Sequence, residues 1–257
     1  MITKNTIKLI QSLKQQKYRK EQQLFVVEGR KMVAELMDSG FDVVGLYATE
    51  RYLESNETHF DGLETVTEVQ MEQMSGQDTA PGILAVARQP KSTVIDDKAT
   101  VVLALDGIAN PGNMGTIIRT ADWFGIRHIV CSHGSVSCFN PKVVQSTMGG
   151  LLRTTIEYCD LPHYLARCGK PVFGALLDGE SIWGGKTLSL PEEGAVLVIG
   201  NESRGITPEV QQYVTHRVTI PNLGGTAESL NASVACAILC AELCKTSISN
   251  VNEGLEP

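Results

Sequence analysis

Along the chain, short continuous apolar runs alternate with stretches in which apolar residues recur every three or four positions, the pattern of buried strands alternating with amphipathic helices. Residues 3–17 predict a helix with Ile7, Ile10 and Leu13 on one side, followed by the basic turn Lys17-Tyr18-Arg19-Lys20. Leu24-Phe25-Val26-Val27 is a short buried-strand run, and Gly29 opens a helix carrying Met32, Val33, Leu36 and Met37. Further strands are expected at Val43–Tyr47, Leu63–Val66 and Ile83–Ala87, with a helix near Glu68–Met74. Residues 1–90 therefore read as one small α/β domain.

The stretch from Arg88 to Thr100 is polar and without periodicity, which predicts an interdomain linker at residues 91–100. Val101-Val102-Leu103-Ala104-Leu105 then has the continuous apolar character of a strand covered on both faces of a parallel sheet. Strands follow at His128–Cys131, Thr154–Glu157, Pro171–Leu177, Ala195–Ile199 and Arg217–Ile220. Helices lie between them, near Asn113–Gly125, Pro141–Leu151, Leu161–Gly169, Pro208–Val214 and Ser229–Lys245. Residues 101–250 form a second α/β domain whose right-handed crossovers imply a largely parallel sheet.

Composition narrows the class. Of 257 residues, 42% are hydrophobic and only 5% aromatic, with 24 Gly, which suits α/β alternation with tight turns and excludes disordered or fibrous chains. No apolar run reaches membrane-spanning length and Met1–Lys8 has no secretory h-region, so a cytoplasmic protein away from membranes is expected. Seven scattered cysteines, with no CxxC, predict reduced, buried thiols and no metal site. The net charge of −7 hides an asymmetry: residues 1–31 hold eight bases against Glu21 and Glu28, whereas the rest is acidic. A basic arm on an acidic body can contact phosphate, and a solvated helix face would have the same charge.

Three segments at expected strand ends carry chemistry, because open α/β sheets bind ligands there. In Asp106–Ala121, Pro and Gly shape a turn, Asn113 is placed to cap the next helix, and Arg119 follows six positions later to face the same anion. A capped helix whose Arg pairs with a surface acid would look alike. In Leu197–Ile206 a hydrophobic strand ends in a polar turn bracketed by Gly200 and Gly205, where Glu202 is either a solvated turn acid or the partner of a cation such as Arg119. In Ile220–Ser233 a strand breaks at Pro221 into a Gly-rich loop, then a helix whose first turn offers Ser229, Asn231 and Ser233.

Together, NPGNMGTIIRTA, VIGNESRGI and IPNLGGTAESLNASVA resemble the three ordered motifs of the SpoU (TrmH-type) RNA 2′-O-ribose methyltransferases of the SPOUT superfamily. The resemblance spans Thr100 to Lys245, and FVVEGRKMVAEL looks like the RNA substrate-binding domain that many such enzymes carry. It implies a C-terminal α/β methyltransferase domain with a deep trefoil knot and a largely parallel sheet, preceded by a small α/β RNA-binding domain. It further implies S-adenosylmethionine as cofactor, a homodimer through the C-terminal domain, and methyl transfer to a ribose hydroxyl of rRNA or tRNA, of a guanosine by family analogy. By motif position, Asn113, Arg119, Glu202, Ser229 and Asn231 would form the catalytic and ribose-phosphate site. Ala175, Leu176, Gly200, Ile220 and Leu230 would hold the cofactor, and Lys17, Arg19, Lys20, Arg30 and Arg119 would touch RNA. Two departures stand out: the loop Pro221–Ser229 is one residue longer than the family pattern, and position 201 is Asn where Ala or Pro is frequent.

Competing motifs are weaker. Gly179–Thr187 imitates a nucleotide-binding P-loop but has Glu180 at the first glycine position and leads to Leu-Ser-Leu-Pro instead of a helix. Cys236, Cys240 and Cys244 share one helical face, which suits packing or a subunit contact better than metal ligation. The five histidines form no hydrolase triad with Ser and Asp. The other functional class is a non-catalytic RNA-binding protein using the methyltransferase scaffold to dimerise; such a protein would be free to lose the five motif residues, all of which are present.

Overall fold

The computed structural model describes residues 2–56, 60–91, 100–183, 188 and 190–245. Most of the expected linker and the Gly184–Thr187 end of the P-loop-like run lie outside them. Contacts divide the chain into two compact units, one within residues 1–92 together with 137–153, the other within 93–136 and 154–257. No helix among the described residues is long and apolar enough to cross a membrane.

The first unit contains α1 (Lys4–Ser12), α2 (Gln16–Gln22), β1 (Leu24–Glu28), α3 (Arg30–Met37), β2 (Val43–Thr49), α4 (Glu50–Ser55), β3 (Leu63–Val66), α5 (Glu68–Met74) and β4 (Ile83–Arg88). Its sheet runs β1-β4-β2-β3, with only the β2–β3 pair parallel. Ile7, Ile10 and Leu13 pack with Leu24, Val26, Met71, Met74 and Leu84 in one core. The helix expected over 3–17 is broken after Ser12, and Arg19 explains how the break is sustained. Its guanidinium donates to the carbonyls of Leu13 at 2.8 Å and Lys14 at 2.9 Å, ending α1 with a charged side chain where helix carbonyls lack partners. Arg19 is only 3% exposed, so it is a structural cap turned inward and not the RNA contact expected of it; burial pulls its pKa below the usual guanidinium value.

Residues 137–153 pack in this first unit, although the hydrophobic pattern assigns them to the C-terminal domain. They hold α7 (Pro141–Thr147), capped by Asn140, and a 3-10 turn at Gly150–Leu152. Phe139 meets Phe25 at a ring-centroid distance of 4.7 Å, Gln77 bonds Gln145, and Arg153 pairs with Glu35 at 2.6 Å. Gly149, at φ +92°, passes so close to the Glu35 carboxylate that any side chain would collide with it. Tertiary aromatic packing of this kind leaves no periodic signal in the chain.

The second unit comprises β5 (Val101–Asp106), α6 (Pro111–Trp123), β6 (His128–Ser132), β7 (Thr155–Cys159), α8 (Leu161–Leu165), β8 (Val172–Ser181), β9 (Ala195–Gly200), α9 (Pro208–Gln211), β10 (His216–Thr219) and α10 (Ala232–Leu243). All six strands pair in parallel in the order β10-β8-β9-β5-β6-β7, as the continuous apolar runs predict. β5 is buried at every position, and Val102, Ala104, Val130, Val196 and Val198 pack against Leu161, Leu165 and Val210. The strand order reverses between β5 and β9, which stay in register to Asp106↔Gly200. Two of the three motif loops therefore leave the sheet side by side at its switch point. Gly179–Ser181 lies within β8, so that part of the P-loop-like run is strand.

Replacing Arg19 by Met should strand the Leu13 and Lys14 carbonyls and cost about 2–3 kcal/mol in urea unfolding, whereas Lys17→Ala should change stability by less than about 0.5 kcal/mol.

Candidate active site

The loop after β5 is fixed before it reaches the functional residues. Asp106, buried at the end of β5, accepts from the backbone N–H of Thr207 at 2.8 Å and from its hydroxyl at 2.7 Å. Gly107, at φ +70°, is held on both sides of its backbone: its N–H donates to Ser132 Oγ at 2.8 Å and its carbonyl accepts from Asn201 Nδ2 at 2.7 Å. Asn110, not Asn113, caps α6, accepting from the N–H of Gly112, with Pro111 in the first turn. The Asn-Pro pair was the available sequence signal for this cap.

Relieved of capping, Asn113 is buried and uses both ends of its amide. Nδ2 donates to Glu202 Oε1 at 2.6 Å, and Oδ1 accepts from Asn231 Nδ2 at 2.9 Å. Asn231 Oδ1 in turn accepts from the N–H and hydroxyl of Ser233, at 2.9 and 2.7 Å, and so caps α10. A carboxylate stands at one end of this series and the positive end of a helix at the other, so every amide dipole between them is polarised in the same sense. The three motifs meet in these side chains.

Two expected site residues are not part of this series. Arg119 is exposed on α6 with no hydrogen bond or ion pair among the described residues, and six helical positions put it about 120° around the helix from Asn113. Glu202 is therefore the partner of Asn113, not of Arg119. Ser229 is exposed and precedes the helix, which starts at Ala232 because Asn231 takes the N-cap.

The expected cofactor positions lie around the C-terminal ends of β8, β9 and β10. The β8–β10 register jumps from Gly174↔Arg217 to Glu180↔Val218 and β8 pairs with β9 only through Gly174, so the backbone of residues 175–179 has no ladder partner on either side. Ala175, Leu176, Gly200 and Ile220 are half-buried, and Leu230 is 49% exposed, as are Leu177 at 77% and Leu223 at 85%. Gly200 has no room for a side chain, which would run into the Gly205–Ile206 peptide. Backbone outside the ladder together with exposed leucines fits an adenosine group, which takes a flat apolar face with hydrogen bonds at its edge. Asn222 shapes the adjoining loop, accepting from the N–H groups of Gly224 and Gly225 and donating to the carbonyls of Gly225 and Ala227. Its Asn-x-Gly-Gly pattern was a readable turn signal. Arg217 closes the 175–179 excursion by gripping both oxygens of Asp178 at 2.6 Å, which holds that carboxyl below the usual range.

Other features of this unit lie elsewhere or are inert. A cavity of about 610 Å³ lined by Leu165, Lys170, Val172, Tyr213 and His216 opens at the N-terminal ends of β8 and β10. Burial pushes the Cys159 and Cys244 thiols up to about 11, and the adjacent Cys236 sulfur, 3.9 Å away, together with burial drives Cys240 up as well. These thiols stay protonated at neutral pH and are poor nucleophiles.

Comparison with known proteins agrees with this architecture. Residues 100–241 match the SpoU rRNA methylase family, and residues 4–85 match the MRM3-like substrate binding domain. The 23S rRNA (guanosine(2553)-2′-O)-methyltransferase RlmP of Bacillus subtilis is 30% identical over 87% of this chain and 89% of its own. Among solved structures, a TrmH-family chain from Porphyromonas gingivalis has a TM-score of 0.83 at 40% identity, covering 94% of this chain and 98% of that one. An AdoMet-bound rRNA methyltransferase from Sinorhizobium meliloti has a TM-score of 0.82 at 26% identity, covering 96% and 97%. The fold and site define an RNA methyltransferase with an N-terminal substrate-binding domain. The chain belongs to the SpoU rRNA methylase family.

The Asp178–Arg217 pair yields a pH test. A carboxyl with a lowered folded pKa contributes stability above its unfolded pKa and loses it as pH falls through the folded value. The wild type should therefore unfold at a slightly higher urea concentration than Asp178→Asn throughout the neutral range, and the gap should close on acidification.

Proposed function

We propose that this enzyme uses S-adenosylmethionine to methylate the 2′-hydroxyl of a guanosine ribose in rRNA. The observation that carries the reading is the continuous Glu202–Asn113–Asn231 series between the second motif turn and α10. The cofactor supplies an electrophilic methyl group on a sulfonium. Ala175, Leu176, Gly200, Ile220 and Leu230 would hold it, by backbone amides and apolar contact.

The work left to the chain is to place the ribose hydroxyl and to stabilise the negative charge it gains as its proton departs. Asn113 and Asn231, locked against Glu202 and the α10 N-terminus, are the rigid part of that site. Arg119 is free to bind. A guanidinium does not deprotonate near neutral pH, so Arg119 acts as a clamp on the RNA phosphate and the developing alkoxide, and the proton leaves to phosphate or water. Ser229, exposed just before the cap, adds a hydroxyl for the ribose-phosphate.

Lys17, Lys20 and Arg30 are exposed on the first unit and serve as phosphate contacts; Arg19 is not among them. The enzyme works in the cytoplasm as a homodimer with the trefoil-knotted domain of its family. In support of the dimer, α10 is apolar nearly all round, with Val234 47% exposed, and Trp123 at the end of α6 is 85% exposed. Light scattering should give twice the chain mass for the wild type and a single-chain mass for Val234→Glu.

Incubation with unmodified 23S rRNA transcript and methyl-labelled cofactor, followed by nuclease mapping, should place the label on one ribose. Arg119→Lys keeps the charge but loses the fork, and should lower turnover about 100-fold while calorimetry finds cofactor binding unchanged. Near-normal turnover in that variant would remove Arg119 from the mechanism.

A further inference from the structure

We propose that Asn201 is a positioning residue for catalysis, acting through Glu202; this rests on the proposed role of the Glu202–Asn113–Asn231 series. The side chain is half-buried and every hydrogen-bonding direction it uses serves the turn that presents Glu202. Its oxygen accepts from the N–H of Ser203 at 3.0 Å and of Arg204 at 3.1 Å, folding the turn back on itself. Its nitrogen donates to the Gly107 carbonyl at 2.7 Å, docking the folded turn on the loop that leads into α6. Backbone bonds between Asn201 and Gly205, 2.9 Å in both directions, close the base of the turn.

The arrangement fixes two loops with one amide. Glu202 lies in the turn after β9 and Asn113 in the first turn of α6, and their 2.6 Å bond survives only if that turn and helix keep a constant separation. Asn201 lies beside Glu202, and Gly107 lies in the loop that carries Asn110, the cap of the helix holding Asn113. The Asn201–Gly107 bond therefore spans the same gap as the Glu202–Asn113 bond. Gly107 is itself anchored from behind by Ser132, so the turn docks on a fixed point. Alanine or proline at position 201 offers neither half of this amide, and aspartate offers only the oxygen. The Asn201 side chain spends its hydrogen bonds on the turn and on Gly107, so its loss should act on turnover and leave affinity alone.

The test is a double-mutant cycle on the full chain with unmodified 23S rRNA transcript. Asn201→Asp keeps the turn-forming oxygen and loses the donor; kcat should fall about tenfold, with the KM for RNA and the Kd for S-adenosylmethionine changed less than about twofold. Asn201→Asp combined with Glu202→Ala should be no slower than Glu202→Ala alone, because without the Glu202 carboxylate Asn201 has nothing left to position. If Asn201→Asp does not fold, Asn201→Ser, which keeps an oxygen on a shorter arm without the reach to Gly107, takes its place in the same measurements. Wild-type kcat in the Asp or Ser variant, or a multiplicative loss in the double variant, overturns the inference. A slow Glu202→Ala alongside either result leaves the proposed function standing; a Glu202→Ala variant as fast as wild type overturns both.

Discussion

The arrangement of the candidate active site depends on one buried side-chain amide. Asn113 sits where water cannot satisfy it, so both its donor and its acceptor need protein partners, and each unmet half would cost on the order of 1–3 kcal/mol. The partners are supplied by two segments far along the chain, Glu202 after β9 and Asn231 at the start of α10. An amide with one donor aimed at a carboxylate and its oxygen aimed at another amide has a single satisfactory orientation. The site is therefore set by the folding of the sheet that brings the three segments together, before any ligand arrives.

The parallel sheet makes this meeting possible. With β5 and β9 adjacent and in register to their last residues, the two motif turns emerge within hydrogen-bonding reach, and short polar side chains suffice to join them. Asp106 to Thr207, Asn201 to Gly107 and Glu202 to Asn113 are three successive ties across one seam. On the β8 side of β9 the ladder instead opens at residues 175–179. Rigidity on one flank and an open ladder on the other suit an enzyme that must hold a nucleophile still and admit a ligand beside it.

Much of this was legible in the chain. Continuous apolar runs gave the strands of the second unit and their parallel sense, and the three motifs identified the family before any contact was known. Capping was only partly readable: the Asn-Pro pair marks Asn110, but Asn113 and Asn231 are both Asn near helix starts, and nothing local says that Asn231 caps while Asn113 is consumed by tertiary bonds. Arg19 misled because charge in a basic cluster predicts solvent, whereas the fold spends that guanidinium on the end of α1. Arg119 and Glu202 invited pairing by charge, yet helix geometry separates Arg119 from Asn113 and the carboxylate takes a neutral donor. α4 escaped notice because six residues carry too little periodicity, and only the Thr49 hydroxyl bonded to the Tyr52 N–H marks its start.

The packing of residues 137–153 with the first unit has a bearing on how the chain is made. During synthesis the N-terminal segment leaves the ribosome first, but Phe25, Glu35 and Gln77 cannot meet Phe139, Arg153 and Gln145 until β5, α6 and β6 have followed. The first unit thus waits on the methyltransferase half for its last structural pieces. Its final consolidation involves contacts of high sequence separation, which form slowly. A truncated product ending before α7 would carry an unfinished first unit, lacking the partners of Phe25, Glu35 and Gln77.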